Sequence, residues 1–169
     1  MRQQVNDWYH DYSNDIYQYI FFMIRDHDLA KDFMQDTFLK AYNSHHLFQG
    51  ENARGWLFRI ARNVTIDYIR RKKPITYFFD MSPYSPLNEA SAEHSASLNE
   101  TEKELYDAIG KLKEAYRDVI LLRKIEGFSI VETAEILDWK EEKVRVTLSR
   151  AMKALKKQLE KEGYQHEAI

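Results

Sequence analysis

Apolar side chains at Tyr9, Tyr12, Ile16, Tyr19, Ile20 and Met23 recur at steps of three and four. That spacing gathers them on one face of a helix. The same step runs through DLAKDFMQDTFLKAYN (28–43). There Leu29, Phe33, Thr37 and Ala41, widened by Ala30 and Met34, form the expected core stripe, and Asp28, Asp32, Gln35, Asp36 and Leu39 stand opposite. A third amphipathic segment, WLFRIARNVTIDYIRRKK, covers 56–73. Its apolar stripe is Leu57, Ile60, Ala61, Val64 and Tyr68, and its outward face is Arg59, Arg62, Asn63, Ile66 and Arg70. Between the second and third segments, SHHLFQGENARG (44–55) holds both glycines of this half and predicts a loop.

The helical period then stops. Residues 74–100 hold all three prolines and no Lys or Arg, which predicts a flexible linker, with Tyr77, Phe78 and Phe79 apolar enough either to dock on a neighbour or to stay in solvent. Beyond it, Thr101-Glu102-Lys103-Glu104 has the form of a capping box, and Leu105, Ile109 and Leu112 give one helix. A second helix is expected over about 115–125, stopped by Gly127. Ser129-Ile130-Val131-Glu132 forms another capping box and opens a short helix to Leu137, followed by a turn at Asp138-Trp139-Lys140 and a last helix over about 141–160. Short helix, tight turn and longer basic helix make a helix-turn-helix pattern. The expected fold is therefore all-α: two small helical domains, 1–73 and 101–169, joined by a flexible linker, the second containing the helix-turn-helix.

Composition agrees with this picture. The 169 residues include 5 Gly, 3 Pro and no Cys, which favours helices and excludes a disulfide framework or thiolate metal site. No signal pattern opens the chain, and no stretch approaches the ~18–20 apolar residues of a membrane span. A cytoplasmic protein is expected, with no direct membrane insertion.

Charge changes the picture more. The formal net charge is −2, yet residues 54–73 alone carry +6 and residues 140–161 carry +5, each in acidic surroundings. Two cationic helices point either to solvated faces or to a polyanion partner. On the last helix, Val144, Leu148, Ala151, Leu155 and Leu159 share the core arc. Glu142, Val146, Ser149, Arg150 and Lys153 stand opposite, with Arg145 on a flank. Arg145 and Arg150 suit guanine edges or phosphates, and Val146 is either an isolated exposed apolar residue or a contact for thymine methyls. Asn63 among arginines suits a base edge held between phosphate contacts. The acidic face of 28–43 would repel DNA, so it meets either water or protein. There is no phosphate-cradling glycine loop, zinc-protease motif or nucleophile elbow. His45 and His46, being adjacent, do not share a helix face. No enzymatic activity, cofactor or metal is expected.

Three blocks together carry a resemblance: DLAKDFMQDTFLKAY, GENARGWLFRIARNVTIDYIRRKK and YRDVILLRKIEGFSIVETAEILDWKEEKVRVTLSRAMKALKKQL. In order and spacing they resemble the bacterial sigma factors of the extracytoplasmic-function group, over roughly 5–73 and 101–160. The resemblance implies an alternative RNA polymerase sigma factor that binds core polymerase, recognises the minus-35 and minus-ten elements and promotes DNA opening. It implies that Asp32, Gln35 and Asp36, with Leu39, dock on the clamp helices of the largest polymerase subunit, the flap being a second polymerase contact. It assigns the minus-ten nontemplate strand to Phe48, Gln49, Glu51, Asn52, Arg54, Trp56, Arg59, Arg62, Asn63 and Arg70. The minus-35 major groove falls to Lys143, Arg145, Val146, Ser149, Arg150 and Lys153. Family members are usually held by an anti-sigma factor, often membrane-anchored, so such a partner is expected beside core polymerase and promoter DNA. The sequence departs from the family pattern where Glu142-Lys143-Val144-Arg145-Val146 replaces a common Gly-Thr-Val-Lys-Ser, and where Lys113-Glu114-Ala115 replaces Leu-Pro; this bears on the minus-35 sequence rather than the fold. Two rival readings are a free-standing helix-turn-helix regulator, which leaves 28–73 without a purpose, and a small protein that only sequesters a partner.

Overall fold

The computed structural model describes residues 2–72 and 98–163, and in them seven α-helices and no strand. The expected linker up to residue 97, with Tyr77, Phe78 and Phe79, lies outside the described residues. In chain order the helices are α1 (Arg2–Ile24), α2 (His27–Asn43), α3 (Ala53–Lys72), α4 (Glu100–Gly110), α5 (Glu114–Ile120), α6 (Ile130–Leu137) and α7 (Glu141–Lys161).

α1 runs 23 residues without Gly or Pro. Ile16, Tyr19, Ile20 and Met23 are buried as their period requires, but Tyr9 is 42% exposed, with only a ring edge against Phe38 at 4.9 Å. Phe21 and Phe22 are buried as well, because α2, α3, α4 and α5 all pack against α1. Phe22 stacks on Tyr106 of α4 with ring centroids 3.9 Å apart. α1 ends at Arg25, whose φ of 59° is left-handed, a conformation usually left to Gly at a helix C-terminus. Arg25 is 3% exposed, and its guanidinium pairs with Asp107 and donates to the Tyr106 carbonyl (3.4 Å). Those contacts hold the strained turn. Asp26 then caps α2 by accepting from the Leu29 amide (3.0 Å).

Thr37 and Thr65 are buried because each hydroxyl donates to a carbonyl one turn back, Phe33 and Ala61, at 2.7 and 2.8 Å. α3 starts at Ala53, three residues before the expected start, because Asn52 caps it: its side-chain oxygen accepts from the Gly55 amide at 2.9 Å. A Cβ on Gly55 would stand 2.6 Å from the Asn52 amide nitrogen, so glycine makes room for this cap. Ile66, expected on the outward face, is 1% exposed, and Phe58 is fully buried. For Phe58 the cover is Phe128 of the second half, edge-on with ring centroids 5.0 Å apart, a packing that periodicity within one helix cannot show.

In that half, α4 opens two residues before the expected start. Its capping box is Asn99 with Glu102, an amide side chain in place of the hydroxyl of Thr101. The helix expected over 115–125 is two pieces: α5, then a wider π-type turn over Leu121–Ile125, closed by Gly127 at φ 76°. Ser129 and Glu132 form the expected box on α6. Asp138 takes the left-handed conformation (φ 56°) that sends α7 across α6, which completes the helix-turn-helix. Ser129→Ala removes the acceptor for the Glu132 amide and is expected to lower stability by about 1 kcal/mol, measured by urea titration. An unchanged midpoint would show that Glu132 holds the helix start alone.

Candidate polymerase and nucleic-acid interfaces

On α2 the acidic face stands clear of the core. Asp32, Gln35, Asp36 and Leu39 are all exposed, Leu39 at 60%. Beneath them Ala30, Met34, Thr37, Phe38 and Ala41 fill the buried side, so the position of this face is fixed by packing from below. A lone apolar side chain ringed by carboxylates and an amide suits a protein partner better than a polyanion.

The stretch expected to be an open loop contains a short 3-10 helix, His45–Leu47, and an aromatic cluster. Trp8 is met by His45 (5.6 Å, stacked), Phe48 (4.9 Å, edge-on) and Trp56 (5.9 Å, edge-on). Phe48 and Trp56 are therefore half-buried supports of the loop, and Asn52 is its cap. Gln49, Glu51, Arg59, Asn63 and Arg70 are exposed.

Two candidates of the same set turn inward. Arg54 ion-pairs with Glu126 at 2.8 Å and donates to the Glu126 carbonyl at 3.1 Å. Its guanidinium also lies over the Phe128 ring, 4.2 Å from the centroid. Arg62, expected to face away, has a side chain only 12% exposed, and its Nε donates to Asp118 at 3.3 Å. The other Asp118 oxygen accepts from Tyr19 at 2.6 Å. Burial pushes the Asp118 carboxyl above its ordinary range, against the opposing pull of Tyr19 and Arg62. Burial also lifts Glu126 to about 7, only partly countered by Arg54 and reinforced by the nearby charge of Asp15. The Tyr19 hydroxyl is raised well above 10 by burial and by Asp118. Asn52 adds a further bridge, its amide donating to Glu132 at 3.2 Å. Arg25, Asp107, Asp118, Glu126 and Phe128 are the residues that sequence reasoning passed over, and of Tyr19 it saw the buried ring but not the hydroxyl that donates to Asp118. The available signal was Arg117-Asp118 inside the apolar run YRDVILL, a charged pair where the helical period demands core.

α7 presents the third face. Val144, Ala151, Leu155 and Leu159 are buried and Leu148 is half-buried, as the wheel requires. Glu142, Lys143, Arg145, Val146, Ser149, Arg150 and Lys153 are exposed. Arg145 is steadied by Glu141 one turn earlier at 3.3 Å, and Lys143 lies over Trp139 at 4.2 Å. Val146 is 37% exposed in the middle of this charged surface.

With the faces placed, the comparisons with known proteins bear on them. Residues 8–75 match the family model for sigma-70 region 2, and residues 102–155 match that for sigma-70 region 4. The ECF RNA polymerase sigma factor SigX of Bacillus subtilis is 34% identical over 159 residues, spanning 90% of this chain and 81% of its own. The chain belongs to the ECF sigma factors. The RNA polymerase sigma factor YlaC of the same organism is 35% identical, across 95% of this chain and 94% of its own. The fold is shared with a solved sigma factor, RpoE of Bartonella quintana in complex with the anti-sigma factor NepR. Its TM-score is 0.73 at 23% identity, over 94% of this chain and 98% of that one. This sigma factor thus contains the two regions recognised in its sequence, each on helices of its own. Among its described residues no helix is long and apolar enough to cross a membrane.

Proposed function

We propose that this sigma factor divides its work among three surfaces. Asp32, Gln35, Asp36 and Leu39 on α2 dock on core polymerase, at the clamp helices of its largest subunit. Gln49, Glu51, Arg59, Asn63 and Arg70, joined by Arg54 and Arg62 when these are released, hold the nontemplate strand of the minus-ten element. Lys143, Arg145, Val146, Ser149, Arg150 and Lys153 on α7 enter the major groove at minus 35. The observation that carries this reading is the segregation of exposed charge: one acidic face on α2, and cationic faces on α3 and α7 that are each backed by an apolar core.

The chemistry follows. Duplex DNA hides its pairing edges, and extruding a base costs a few kcal/mol. Capture of extruded bases beside the Trp8–Phe48–Trp56 cluster, with arginines on the flanking phosphates, offsets that cost without nucleotide hydrolysis. At minus 35, Arg145 and Arg150 supply guanine or phosphate contacts worth about 1–3 kcal/mol each where bidentate, and Val146 supplies a surface for a thymine methyl. An anti-sigma protein that covers α2 or α7 completes the proposed set of partners; one solved sigma factor of this fold, RpoE of Bartonella quintana, was crystallised with such a protein.

Run-off transcription with purified core polymerase over a promoter library tests the whole reading. Specific initiation should appear only when the protein is added, and its absence would defeat it. Asp32→Ala combined with Gln35→Ala is expected to weaken core binding at least about tenfold, two lost polar contacts at roughly 1 kcal/mol each, while leaving helix content unchanged. Undiminished core affinity would move the docking surface elsewhere.

A further inference from the structure

Among the described residues Glu142, on the first turn of α7, is exposed and held by no hydrogen bond or ion pair. The charged residues on either side of it are engaged: Glu141 accepts from Arg145 at 3.3 Å, and the Lys143 ammonium lies 4.2 Å from the centroid of the Trp139 ring. At about 100° per residue, Glu142, Val146, Ser149 and Lys153 fall within one arc of about 60°, on the side away from Val144, Ala151 and Leu155. A bare carboxylate thus stands in the stripe proposed to meet DNA. Against phosphate that placement costs affinity, since like charges repel. Against base edges it selects. In the major groove guanine shows acceptors at N7 and O6 and thymine shows O4, all of which repel a carboxylate. Adenine offers its N6 amino group with the N7 acceptor beside it, a pair that suits an amide better. Cytosine offers the N4 amino group with no acceptor beside it. Residues at the start of a recognition helix are those that reach base edges. We infer that Glu142 is a specificity-determining residue: its carboxylate accepts from the N4 amino group of a cytosine in the minus-35 element. This inference rests on the assignment of α7 to minus 35.

The geometry of α7 also places that cytosine relative to the base met by Val146. Four residues of helix rise about 6 Å, close to two base-pair steps of about 3.4 Å. The cytosine therefore lies within about two base pairs of the thymine whose methyl Val146 covers. Both acids of the first turn favour the positive end of the helix dipole, but their further tasks differ: Glu141 steadies Arg145, and Glu142 reads. Glu142 stands where the family pattern commonly has glycine, which has no side chain to reach a base, so this preference belongs to the present chain.

Run-off transcription with core polymerase, on templates that share one minus-ten element and vary each minus-35 base pair singly, tests this. The parent should favour cytosine over the other bases at one position by at least about fivefold, the lower end for a good base contact. Glu142→Ala should flatten that position alone. Glu142→Gln, whose amide suits adenine N6 and N7, should move the preference there from cytosine to adenine. Val146→Ala should flatten a different position, within about two base pairs of the first. Glu141→Gln, an equal charge change in the same turn, should leave the cytosine preference intact. Far-UV circular dichroism should show unchanged helix content in all four variants, because each of these side chains is exposed. If Glu142→Ala leaves every position as in the parent, or if Glu141→Gln and Glu142→Gln weaken all positions alike, Glu142 reads no base and the inference is refuted. If the parent initiates yet shows no preference at any minus-35 position, the assignment of α7 has failed instead, and the inference falls with it.

Discussion

Open-complex formation is expected to fall about a hundredfold when Arg59 and Asn63 are both replaced by alanine, with core polymerase binding unchanged. Both side chains are exposed on α3, so their removal leaves no cavity and little stability is at stake. A charge-assisted contact to phosphate is worth about 1.5–3 kcal/mol and a neutral one about 1 kcal/mol. Together they reach roughly 2.7 kcal/mol, and each 1.4 kcal/mol is tenfold. Permanganate reactivity of thymines at the minus-ten element measures opening, and pull-down with core polymerase measures docking. Equal loss of both would place these residues on the polymerase surface instead. Arg62→Ala is a poorer test of the same idea. It would strip the buried Asp118 carboxylate of its guanidinium partner and mix a fold defect with a binding defect.

The second large effect is expected from pH. Glu126 sits at about 7 with the halves together, and its ordinary value is 4.5. The folded chain therefore binds a proton that the unfolded chain releases. A group raised in this way favours the folded state fully below about 4.5; the advantage is lost as pH rises to about 7 and changes no further above it. Asp118, also raised by burial, acts in the same sense. Glu126 faces Arg54 from α3, Asp15 from α1 and Tyr106 from α4; Asp118 faces Tyr19, Arg62 and Glu114. Linkage allows up to tenfold per pH unit. Between about pH 5 and pH 7.5 the stability of the folded chain should fall with rising pH, by at most about 1.4 kcal/mol per pH unit and by less after discount for the partial exposure of Arg54. Urea titration across that range measures it. Glu126→Gln should flatten the curve, and a stability that rose with pH would reverse the assignment of the proton.

Much of this was legible along the chain because each helix obeys its own period. The stripe on α7, the box at Ser129 and the turn at Asp138 depend on contacts within a few residues of themselves, and these appear where the pattern places them. On α2 the buried face is rotated from the expected stripe: Thr37 and Ala41 are buried with Ala30, Met34 and Phe38, while Leu29 and Phe33 are half-buried. Phe22 was passed over for the opposite reason: it stacks on Tyr106, more than eighty positions away, and no local spacing encodes that. Arg62 shows the limit for the site. A cation on the polar side of a helix is indistinguishable, in sequence, from one aimed at a carboxylate more than fifty positions away. Tyr9 shows the converse, a residue in step with the stripe yet near the start of α1, where less of the core remains to cover it.

Arg54 and Arg62 are each held by a carboxylate of the chain itself, and under the proposed function each would also answer to a phosphate of the promoter strand. A substitution that sharpened either as a grip for the promoter strand would sharpen its hold on the internal carboxylate too. Promoter affinity and readiness to engage are thus in tension at these two positions. Variation that tunes basal leakiness should accumulate instead on the carboxylate side, at Glu126 and its surroundings, where one face can drift without touching the other.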